Sequence, residues 1–483
     1  MAEKVTALYM MNHSDFYQLV KNSFPHQVTL KQDIALQMLS KFLVSRDTDE
    51  VFLLKGYAGT GKTTIVGALT DNLAQIRRRF VLLAPTGRAA KVISNYSEKP
   101  AFTIHKKIYF PKSEKGGISF TLKQNKHKNT VFIVDEASMI PDINQSKNLF
   151  ENRSLLDDLM KYVHEGENCK LLLIGDTAQL PPVHLTVSPA LDPLVLQNHY
   201  HKNVLEIELD EVVRQDYDSG ILVNATRIRN RLNDGFFEDF KFSGISYPDI
   251  IRPVDGQEIM DAISDSYAML GNEGSVIVVR SNKRANLYNQ NIRSRILFQE
   301  AELSAGDFLM VVKNNYFWVD DQSEAGFVAN GDIIEVLEIF AFRDLYGFRF
   351  AEVKIRMVDY PNMKPFETVL LLNTLTSESP SLTYEESNFL YQEVMKDYAS
   401  ERSNYRKYLK VKNNKYFNAL QVKFSYAITC HKSQGGQWNT VFVEQPYLPE
   451  GIGMEYLRWL YTAITRAEKK LYLIGFPEEF FEG

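Results

Sequence analysis

The clearest chemical signal in this chain is a glycine-rich loop between an apolar run and a helical pattern. Residues 56–63 have the P-loop spacing G-x-x-x-x-G-K-T. Its glycines let backbone N–H groups face a polyphosphate at the positive end of the following helix. Lys62 adds a mobile charge near the terminal phosphate, and the Thr63 hydroxyl can hold Mg²⁺. The predicted nucleotide-binding residues here are Gly56, Ala58, Gly59, Thr60, Gly61, Lys62, Thr63 and Thr64.

Two adjacent carboxylates follow a second apolar run. Asp135 and Glu136 come directly after residues 131–134. At the carboxyl edge of a parallel sheet, Asp135 would hold Mg²⁺ through water, and Glu136 would orient and deprotonate an attacking water. Such a pair is a weak signal alone, but the P-loop precedes it in the order that a nucleotide hydrolase requires.

A third apolar run, residues 171–174, leads into a polar segment at residues 175–182. Its glutamine, Gln179, can read a γ-phosphate through the side-chain amide. Pro181 and Pro182 hold the backbone extended, which predicts a stiff connection between the nucleotide and the parts of the chain beyond it.

Similar apolar runs recur along the chain, and most are followed by polar turns and helical patterns. This arrangement is typical of parallel sheets covered on both faces. The runs are too numerous for one sheet of ordinary size, so the sequence predicts two α/β lobes, the first ending near residue 204. The runs are residues 51–54, 80–84, 131–134, 171–174, 276–279, 422–428, 441–443 and 471–474.

Two stretches interrupt this alternation. Residues 106–129 have a Lys-Gly-Gly turn between segments that contain aromatic residues, which predicts a β-hairpin. Residues from about 300 to 420 begin with strand-like segments that have glycines at their bends, which predicts a small barrel followed by a polar helical region.

The overall charge does not indicate a nucleic-acid-binding protein, but the local charge does. The 483 residues include 55 basic and 60 acidic ones, a net charge of −5. Residues 106–128 hold seven lysines and one acid, and residues 396–415 hold seven basic and two acidic residues, both with interleaved aromatic residues. Each stretch suits a phosphate backbone and stacked bases, and each is also compatible with a solvated basic surface.

The cysteine pattern and hydropathy bear on the compartment. Cys169 and Cys430 have neither metal-ligand nor disulfide-framework spacing, which favours a reducing cytosol. No signal peptide is evident, and no apolar stretch approaches the roughly twenty residues that a membrane helix requires. These features predict a cytoplasmic protein with no membrane partner.

Five ordered motifs resemble those of the superfamily 1B helicases of the RecD and Dda type: residues 56–63, 135–138, 175–182, 429–436 and 461–467. The resemblance implies an α/β fold of two RecA-like P-loop lobes with parallel sheets. It also implies a β-hairpin inserted in the first lobe and a small SH3-like β-barrel plus helical insertion in the second. The implied domains are 1–105 with 130–204 for the first lobe, 106–129 for the pin hairpin, 205–300 with 420–483 for the second lobe, and 301–419 for the barrel and helical insertion.

The resemblance assigns further residues to the nucleotide. Gln32 is similar to the glutamine that these helicases use on the adenine edge. Arg214 and Arg466 look like arginine fingers from the second lobe, where a guanidinium would stabilise the transferring phosphoryl group. Gly435 lies in the motif that touches both DNA and nucleotide. The implied catalytic set is Lys62, Glu136, Gln179, Arg214 and Arg466.

Two positions depart from the family pattern. Gln437 stands where many of these helicases have a glutamate that meets the ribose, and Glu468 stands where an arginine is common. The resemblance therefore defines hydrolysis better than it defines ribose contact and nucleotide selectivity.

The implied DNA contacts are spread over both lobes. The Thr86 hydroxyl and nearby backbone amides can hold a phosphate at a helix start. Phe120 is the predicted stacking residue of the pin that splits the duplex, with Phe110 second. The full implied set is Pro85, Thr86, Arg88, Thr103, His105, Phe110, Phe120, Arg280, Asn282, Thr429, His431 and Lys432.

The resemblance thus implies an ATP-dependent, Mg²⁺-requiring DNA helicase that moves 5′ to 3′ on single strands and unwinds duplexes. Its implied partners are single-stranded DNA, DNA junctions and a single-strand-binding, replication or repair protein, and it is expected to act as a monomer. An RNA or RNA–DNA helicase stays open as an alternative, because phosphate binding and base stacking do not exclude a strand that has 2′-hydroxyl groups. A nucleotide-gated switch that binds protein partners is a further alternative.

Overall fold

The computed structural model describes residues 11–114, 117–142, 154–212, 219–243, 247–271, 273–320, 323 and 325–482, and for residues 111–114 and 117–120 it describes the backbone only. The strands are β1 (Glu50–Gly56), β2 (Arg79–Ala84), β3 (Ala101–Thr103), β4 (Tyr109–Glu114), β5 (Gly117–Leu122), β6 (Thr130–Val134), β7 (Lys170–Gly175), β8 (Asn203–Leu209), β9 (Ile250–Ile251), β10 (Ser275–Val279), β11 (Phe308–Val311), β12 (Ile333–Leu345), β13 (Phe348–Met357), β14 (Phe366–Leu371), β15 (Leu420–Phe424), β16 (Ala427–Thr429), β17 (Trp438–Glu444) and β18 (Ala467–Ile474). The helices are α1 (His13–Asn22), α2 (Leu30–Val44), α3 (Lys62–Asn72), α4 (Gly87–Ser97), α5 (Ile104–Ile108), α6 (Leu155–His164), α7 (Pro193–Asn198), α8 (Gly220–Asp234), α9 (Gly256–Leu270), α10 (Asn282–Arg295), α11 (Tyr384–Lys396), α12 (Asn404–Lys412), α13 (Cys430–Ser433) and α14 (Met454–Ile464).

The first lobe is built on a parallel sheet that has helices on both faces. Among the described residues its strand order is β3-β2-β6-β7-β1-β8. Along β1, Val51 and Leu53 pack into one core, which includes residues of α5 and α6. Phe52 and Leu54 pack into a second core, with α1, α2 and α3. Because both faces are covered, this strand is a continuous apolar run and does not alternate.

The second lobe has its own parallel sheet. Its described strands have the order β16-β10-β17-β18-β9. Between β10 and β16 the chain leaves the sheet to form a closed barrel of β11, β12, β13, β14 and β15. The barrel closes where β11 pairs with β15 at Leu309 and Phe424.

The two inserted units have the expected types. Strands β4 and β5 form an antiparallel hairpin in which Tyr109 pairs with Leu122. In the helical insertion, α11 and α12 bury Leu390 and Val411 against barrel residues that include Phe350. Two parallel-sheet lobes, a hairpin and a small barrel with helices confirm the predicted fold class.

Two sheet boundaries differ from those expected from the sequence. Strand β8 extends to Leu209, past residue 204, and pairs along its length with β1 of the first sheet. Strand β15 begins at Leu420, past residue 419, and belongs to the barrel. In both cases the sheet to which the strand belongs is determined by pairing with a strand that is distant in the sequence. The local sequence pattern does not determine it. Within the described ranges, no helix is long and apolar enough to cross a membrane.

Candidate nucleotide and nucleic-acid site

The P-loop, residues 56–63, connects β1 to α3 at the carboxyl edge of the first sheet. Gly59 and Gly61 have φ angles of 75° and 82°, in the left-handed region that favours glycine. A Cβ atom on Gly61 would lie 2.5 Å from Nε2 of Gln32. The loop can therefore approach α2 this closely because position 61 has no side chain.

Gln32 braces this loop from α2. Its Oε1 accepts from the Thr29 N–H at 3.0 Å as part of a capping box, and its Nε2 donates to the Thr60 carbonyl oxygen at 3.0 Å. Both polar atoms of the Gln32 amide therefore form hydrogen bonds within the protein, and the side chain is buried. The expected contact of Gln32 with adenine stays a prediction.

Lys62 is the first residue of α3, and its ammonium group folds back over the loop. Its Nζ donates to the carbonyl oxygens of Gly56 at 2.7 Å and Tyr57 at 2.8 Å. Thr63 and Thr64 follow in the first turn, where helix geometry leaves backbone N–H groups without intrahelical partners. A positive charge and unpaired N–H groups at a helix N-terminus form an anion-binding arrangement.

Asp135 and Glu136 follow β6 at the same sheet edge. Glu136 has a φ of 52°, and its N–H donates to Oδ1 of Asp135 at 2.8 Å. Burial raises the pKa of both carboxyl groups. The charge of Lys62 opposes the rise at both, and that of Arg466 opposes it at Glu136. A raised pKa makes Glu136 a stronger proton acceptor, as a general base requires.

Gln179 lies in the loop after β7, residues 176–182, which we call the Gln179 loop. Its side chain is buried, and its hydrogen bond to Glu136 opposes the rise that burial causes in the pKa of that carboxyl group. No donor within the described part of the chain reaches its Oε1. A buried acceptor in this state is suited to a donor such as water or a bound ligand.

These groups fit a nucleoside triphosphate with Mg²⁺. The P-loop supplies phosphate donors, and the Thr63 hydroxyl and Asp135 carboxylate are the oxygen ligands that Mg²⁺ prefers. No cluster of three or more His, Cys, Asp or Glu side chains suited to a metal occurs among the described residues. Mg²⁺ is ordinarily held by one or two protein oxygens together with phosphate oxygens and water.

The second lobe reaches this site through the residues at the end of α14. Arg466 is buried, and its Nη1 lies 3.9 Å from Oε1 of Glu136. Its Nε donates to the Thr462 carbonyl oxygen at 3.0 Å, and Nη1 donates to that of Gly436 at 3.3 Å. The guanidinium is therefore held by its own lobe while it faces the first one. Arg214, the other predicted finger, lies outside the described residues.

A tyrosine of α14 contributes a contact that the sequence did not predict. The Tyr461 hydroxyl accepts from the Ala58 N–H of the P-loop at 2.9 Å and donates to Oδ2 of Asp176 at 2.6 Å. On the next residue, Thr462 Oγ1 accepts from the Leu180 N–H at 2.8 Å. Position 461 lies within a recognised motif, but residue type alone did not reveal these partners.

Two predicted DNA-binding threonines cap helices in the first lobe. Thr86 Oγ1 accepts from the Ala89 N–H at the start of α4. The Thr103 side chain accepts from the Lys106 N–H at the start of α5. Gly435 of the second lobe has a φ of 72° and lies against α4, where an added Cβ would be 2.7 Å from that of Ala89. Motifs of the two lobes thus meet at the start of α4. Pro85 directly precedes this helix start.

Other predicted DNA contacts are engaged within the protein. Arg88 lies over the Trp438 ring at 4.0 Å. Arg280 pairs with Glu455 at 3.0 Å, and Asn282 donates to the Glu378 carbonyl oxygen at 3.0 Å. Their expected roles stay predictions, since a DNA phosphate would have to compete with these partners.

The second-lobe motif that begins at Thr429 contains α13, and two more predicted contacts, His431 and Lys432, lie in this helix. Burial lowers the pKa of His431, and burial together with Lys423 lowers the pKa of Lys432 to about 8. In the first lobe, burial lowers the pKa of His105 to about 4. His105 is therefore neutral near pH 7, where it can donate to a phosphate but not pair with it as an ion.

The described part of the pin hairpin includes one of its two predicted stacking residues. Phe110 is 57% exposed, and Nζ of Lys123 lies 4.8 Å from its ring centroid. Phe120 pairs with Pro111 in the hairpin, within the stretch where the backbone alone is described. The predicted turn at residues 115–116 lies outside the described residues.

Comparison with known proteins relates these parts to a family. The chain matches the family described as an AAA domain over residues 36–235 and the one described as a UvrD-like helicase C-terminal domain over residues 424–474. The first match contains the P-loop, Glu136 and Gln179, and the second contains Tyr461 and Arg466. The two matched regions thus meet at the site described above.

Relatives with established names extend over most of the chain. The ATP-dependent DNA helicase Dda of Enterobacteria phage T4 is 24% identical over 453 residues, covering 87% of this chain and 93% of its own. The RecBCD enzyme subunit RecD of Buchnera aphidicola is 25% identical over 489 residues, covering 90% and 72%. A crystal structure of Pif1 helicase from Bacteroides with ADP-AlF3 and single-stranded DNA is 14% identical, with 95% coverage of each chain and a TM-score of 0.46. The ordered motifs, the two family matches and the similarity to Dda and RecD support the assignment of this chain to the superfamily 1B helicases, which are ATP-hydrolysing DNA helicases.

Proposed function

We propose that this protein uses ATP hydrolysis to move 5′ to 3′ along single-stranded DNA and to unwind the duplex ahead of it. The observation that carries the proposal is the approach of Arg466 to Glu136, 3.9 Å across the boundary between the lobes. A hydrolytic site that needs residues from both lobes makes hydrolysis depend on how the lobes are arranged. That dependence is what a motor requires.

Each side chain has a definite role in this proposal. Bound ATP would supply the γ-phosphoryl group that is transferred to water, with ADP as the leaving group, and Thr63 and Asp135 would hold the Mg²⁺ that neutralises phosphate charge. Glu136 orients the water and accepts its proton on the carboxylate, and Gln179 positions it through the amide. Arg466 stabilises negative charge that develops on the phosphoryl oxygens.

Movement along DNA follows if the lobes alternate their grip. The start of α4 in the first lobe and the Gly435 segment in the second lobe touch each other at Ala89. A change in the distance between the lobes therefore changes the spacing of two segments that carry predicted phosphate contacts. Cycles of closure and opening then displace one grip relative to the other.

ATPase assays with and without single strands test the motor. We expect strong stimulation by oligo-dT, lost in Lys62→Ala and Glu136→Gln variants that keep the wild-type melting temperature. Stimulation by oligo-U equal to that by oligo-dT would favour an RNA helicase. A slow ATPase that no strand stimulates would identify a switch and reject the proposal.

Strand displacement on tailed duplexes tests the direction. The proposal predicts unwinding of a duplex with a 5′ single-stranded tail and not of its 3′-tailed counterpart with the same duplex sequence. Glu136→Gln serves as the control for ATP-independent melting. Unwinding from the 3′ tail alone would reverse the proposed polarity without affecting the assignment of the ATP site.

A further inference from the structure

A basic groove lies at the base of the pin hairpin, and of its lining residues only Phe110 is among those so far assigned to nucleotide or DNA. Its volume is about 540 Å³. No carboxylate lines it among the residues that the structure describes, although the chain as a whole carries a net charge of −5. The lining residues are Arg79, Phe110, Lys123, Gln124, Lys126, His127 and Tyr162.

The charges of this groove come from two separate segments, β2 and the connection between β5 and β6. Arg79 is the first residue of β2, Lys123 follows β5, and Lys126 belongs to the connection to β6. Arg79 and Lys126 are exposed. Burial lowers the pKa of His127, and the neighbouring charges of Lys107 and Arg79 add to that effect. The field in the groove is therefore positive, as a phosphate chain requires.

The aromatic side chains suit a nucleobase. Phe110 presents an exposed ring at one side of the groove, beneath the ammonium group of Lys123. Tyr162 is buried and forms part of the floor. A positively charged groove with an exposed ring is the arrangement that binds single strands without regard to sequence.

The acidic side chains of the adjacent α6 region are already engaged. Asp158 accepts from the Tyr109 hydroxyl at 2.8 Å, and Glu167 pairs with Lys128. Glu165, which directly follows α6, has its Oε1 4.0 Å from Nζ of Lys161 in that helix. Within the described part of the chain, no ion pair joins these carboxylates to Arg79 or Lys126.

The location separates this groove from the nucleotide site. Arg79 pairs with Thr130 where β2 and β6 begin, whereas Asp135 follows the end of β6 and Thr86 follows the end of β2. The groove is thus at the amino edge of the first sheet, and the P-loop and the α4 contacts are at its carboxyl edge. A strand bound in the groove would be a different strand from the one held between the lobes.

We infer that this groove binds the nucleic-acid strand that the pin hairpin excludes when a duplex is opened, through phosphate contacts to Arg79 and Lys126 and stacking on Phe110. The inference rests on the proposed function, because it assigns a path to the second product of unwinding. A strand held in the groove is kept from its complement, so reannealing behind the pin becomes slower.

Binding to forked and single-tailed DNA tests this path without ATP. The probes share one duplex and one 5′ tail, and the fork alone has a second, 3′ arm. We expect the wild type to bind the fork more tightly. In the double variant Arg79→Gln, Lys126→Gln we expect the fork affinity to fall roughly tenfold and its salt dependence to become shallower by about 1.4, since each single-strand phosphate contact contributes about 0.7.

Lys128→Gln is the matched control. It removes a lysine from the same segment, but one whose charge is already paired with Glu167, so fork binding should be unchanged. Affinity for the single-tailed probe and oligo-dT-stimulated ATPase should be near wild type in both variants, which shows that they are folded.

Two results would overturn the inference: equal affinity of the wild type for fork and single tail, or an equal loss on both probes in the double variant. Neither depends on ATP hydrolysis. If no strand stimulated the ATPase of the wild type, the proposed function would fail, while the fork comparison would still decide whether the groove binds a second strand.

Discussion

The hydroxyl of Tyr461 donates a 2.6 Å hydrogen bond to Oδ2 of Asp176, and this bond crosses from the second lobe to the first. The same oxygen accepts from the Ala58 N–H of the P-loop. Tyr461 and Asp176 are 1% and 2% exposed, so water does not replace either bond. One phenol group thus joins the P-loop, the Gln179 loop and α14.

Removing the Tyr461 hydroxyl should weaken the dependence of ATP hydrolysis on how the two lobes are positioned. In Tyr461→Phe, Asp176 and the Ala58 N–H both lose a buried partner, a loss of about 1–3 kcal/mol in the free energy of unfolding. We expect a lower kcat for DNA-stimulated ATPase with a small change in KM for ATP, measured by steady-state kinetics, because the P-loop itself is intact.

The matched control for that variant is Tyr456→Phe. Tyr456 is also buried on α14, and its hydroxyl donates to Gln445 at 2.6 Å, away from the P-loop. The Tyr456→Phe substitution should lower the melting temperature of the protein and leave kcat for ATP hydrolysis near the wild-type value. If both variants lowered kcat equally, the effect would be one of helix stability and not of the Tyr461 contacts.

Arg466 should be required for hydrolysis and not for nucleotide binding. We expect Arg466→Ala to lower kcat on the order of a thousandfold, which is the effect of removing an arginine finger. Its charge opposes the burial-driven rise in the pKa of Glu136, so its removal should raise that pKa further. The acidic limb of the pH–rate profile should then move to higher pH. Arg466→Lys retains the charge and should keep the limb in place.

A single-turnover measurement across pH, with nucleotide binding followed separately, checks this expectation. An Arg466→Ala variant that hydrolyses ATP at the wild-type rate would show that the guanidinium near Glu136 has only a structural role. Because the Arg466 guanidinium also donates to the carbonyl oxygens of Thr462 and Gly436, its removal can destabilise the fold. The melting temperature of the variant is therefore measured as well.

The pin residues should affect unwinding but not translocation. Phe110→Ala and Phe120→Ala should reduce the base pairs opened per ATP on forked DNA while oligo-dT-stimulated ATPase stays near wild type, because in the proposed function the hairpin would meet the duplex and not the nucleotide. Phe236→Ala, which removes a 71% exposed ring after α8, is the control. Wild-type unwinding efficiency in both hairpin variants would reject the pin assignment.

DNA affinity should decrease as pH rises through about 8. Lys432 has its pKa lowered to about 8 by burial and by Lys423, so it is mainly charged at pH 7 and mainly neutral at pH 9. A neutral amine attracts phosphate less strongly, so affinity is lost on the alkaline side. Fluorescence anisotropy with oligo-dT between pH 7 and 9 measures this loss.

Substitution of the lysine should remove that dependence. Lys432→Gln should bind more weakly at pH 7 and show a flatter profile. Lys410→Gln, at an α12 lysine that pairs with Glu401 at 3.3 Å, should retain the wild-type profile. An unchanged slope in Lys432→Gln would mean that a different group causes the pH dependence.

The nucleotide site could be predicted from the sequence because its parts are local. The P-loop spacing, the two carboxylates after β6 and the glutamine after β7 each occupy a few consecutive residues that follow an apolar strand. Parallel strands bring their carboxyl ends to one edge, so strand order along the chain was enough to group Lys62, Glu136 and Gln179. The hairpin and barrel insertions were predicted for the same reason, from interruptions of a local pattern.

Contacts between distant segments were decided by the tertiary structure. The bonds of Tyr461 to Ala58 and Asp176, the position of Arg88 over Trp438 and the closure of the barrel by β15 all join residues far apart in sequence. The groove at Arg79 and Lys126 arises because the amino ends of β2 and β6 lie side by side. A sequence pattern specifies which face of a helix or strand is apolar and where the chain turns. Which other element that face packs against depends on how the whole lobes pack, and only the three-dimensional structure shows this.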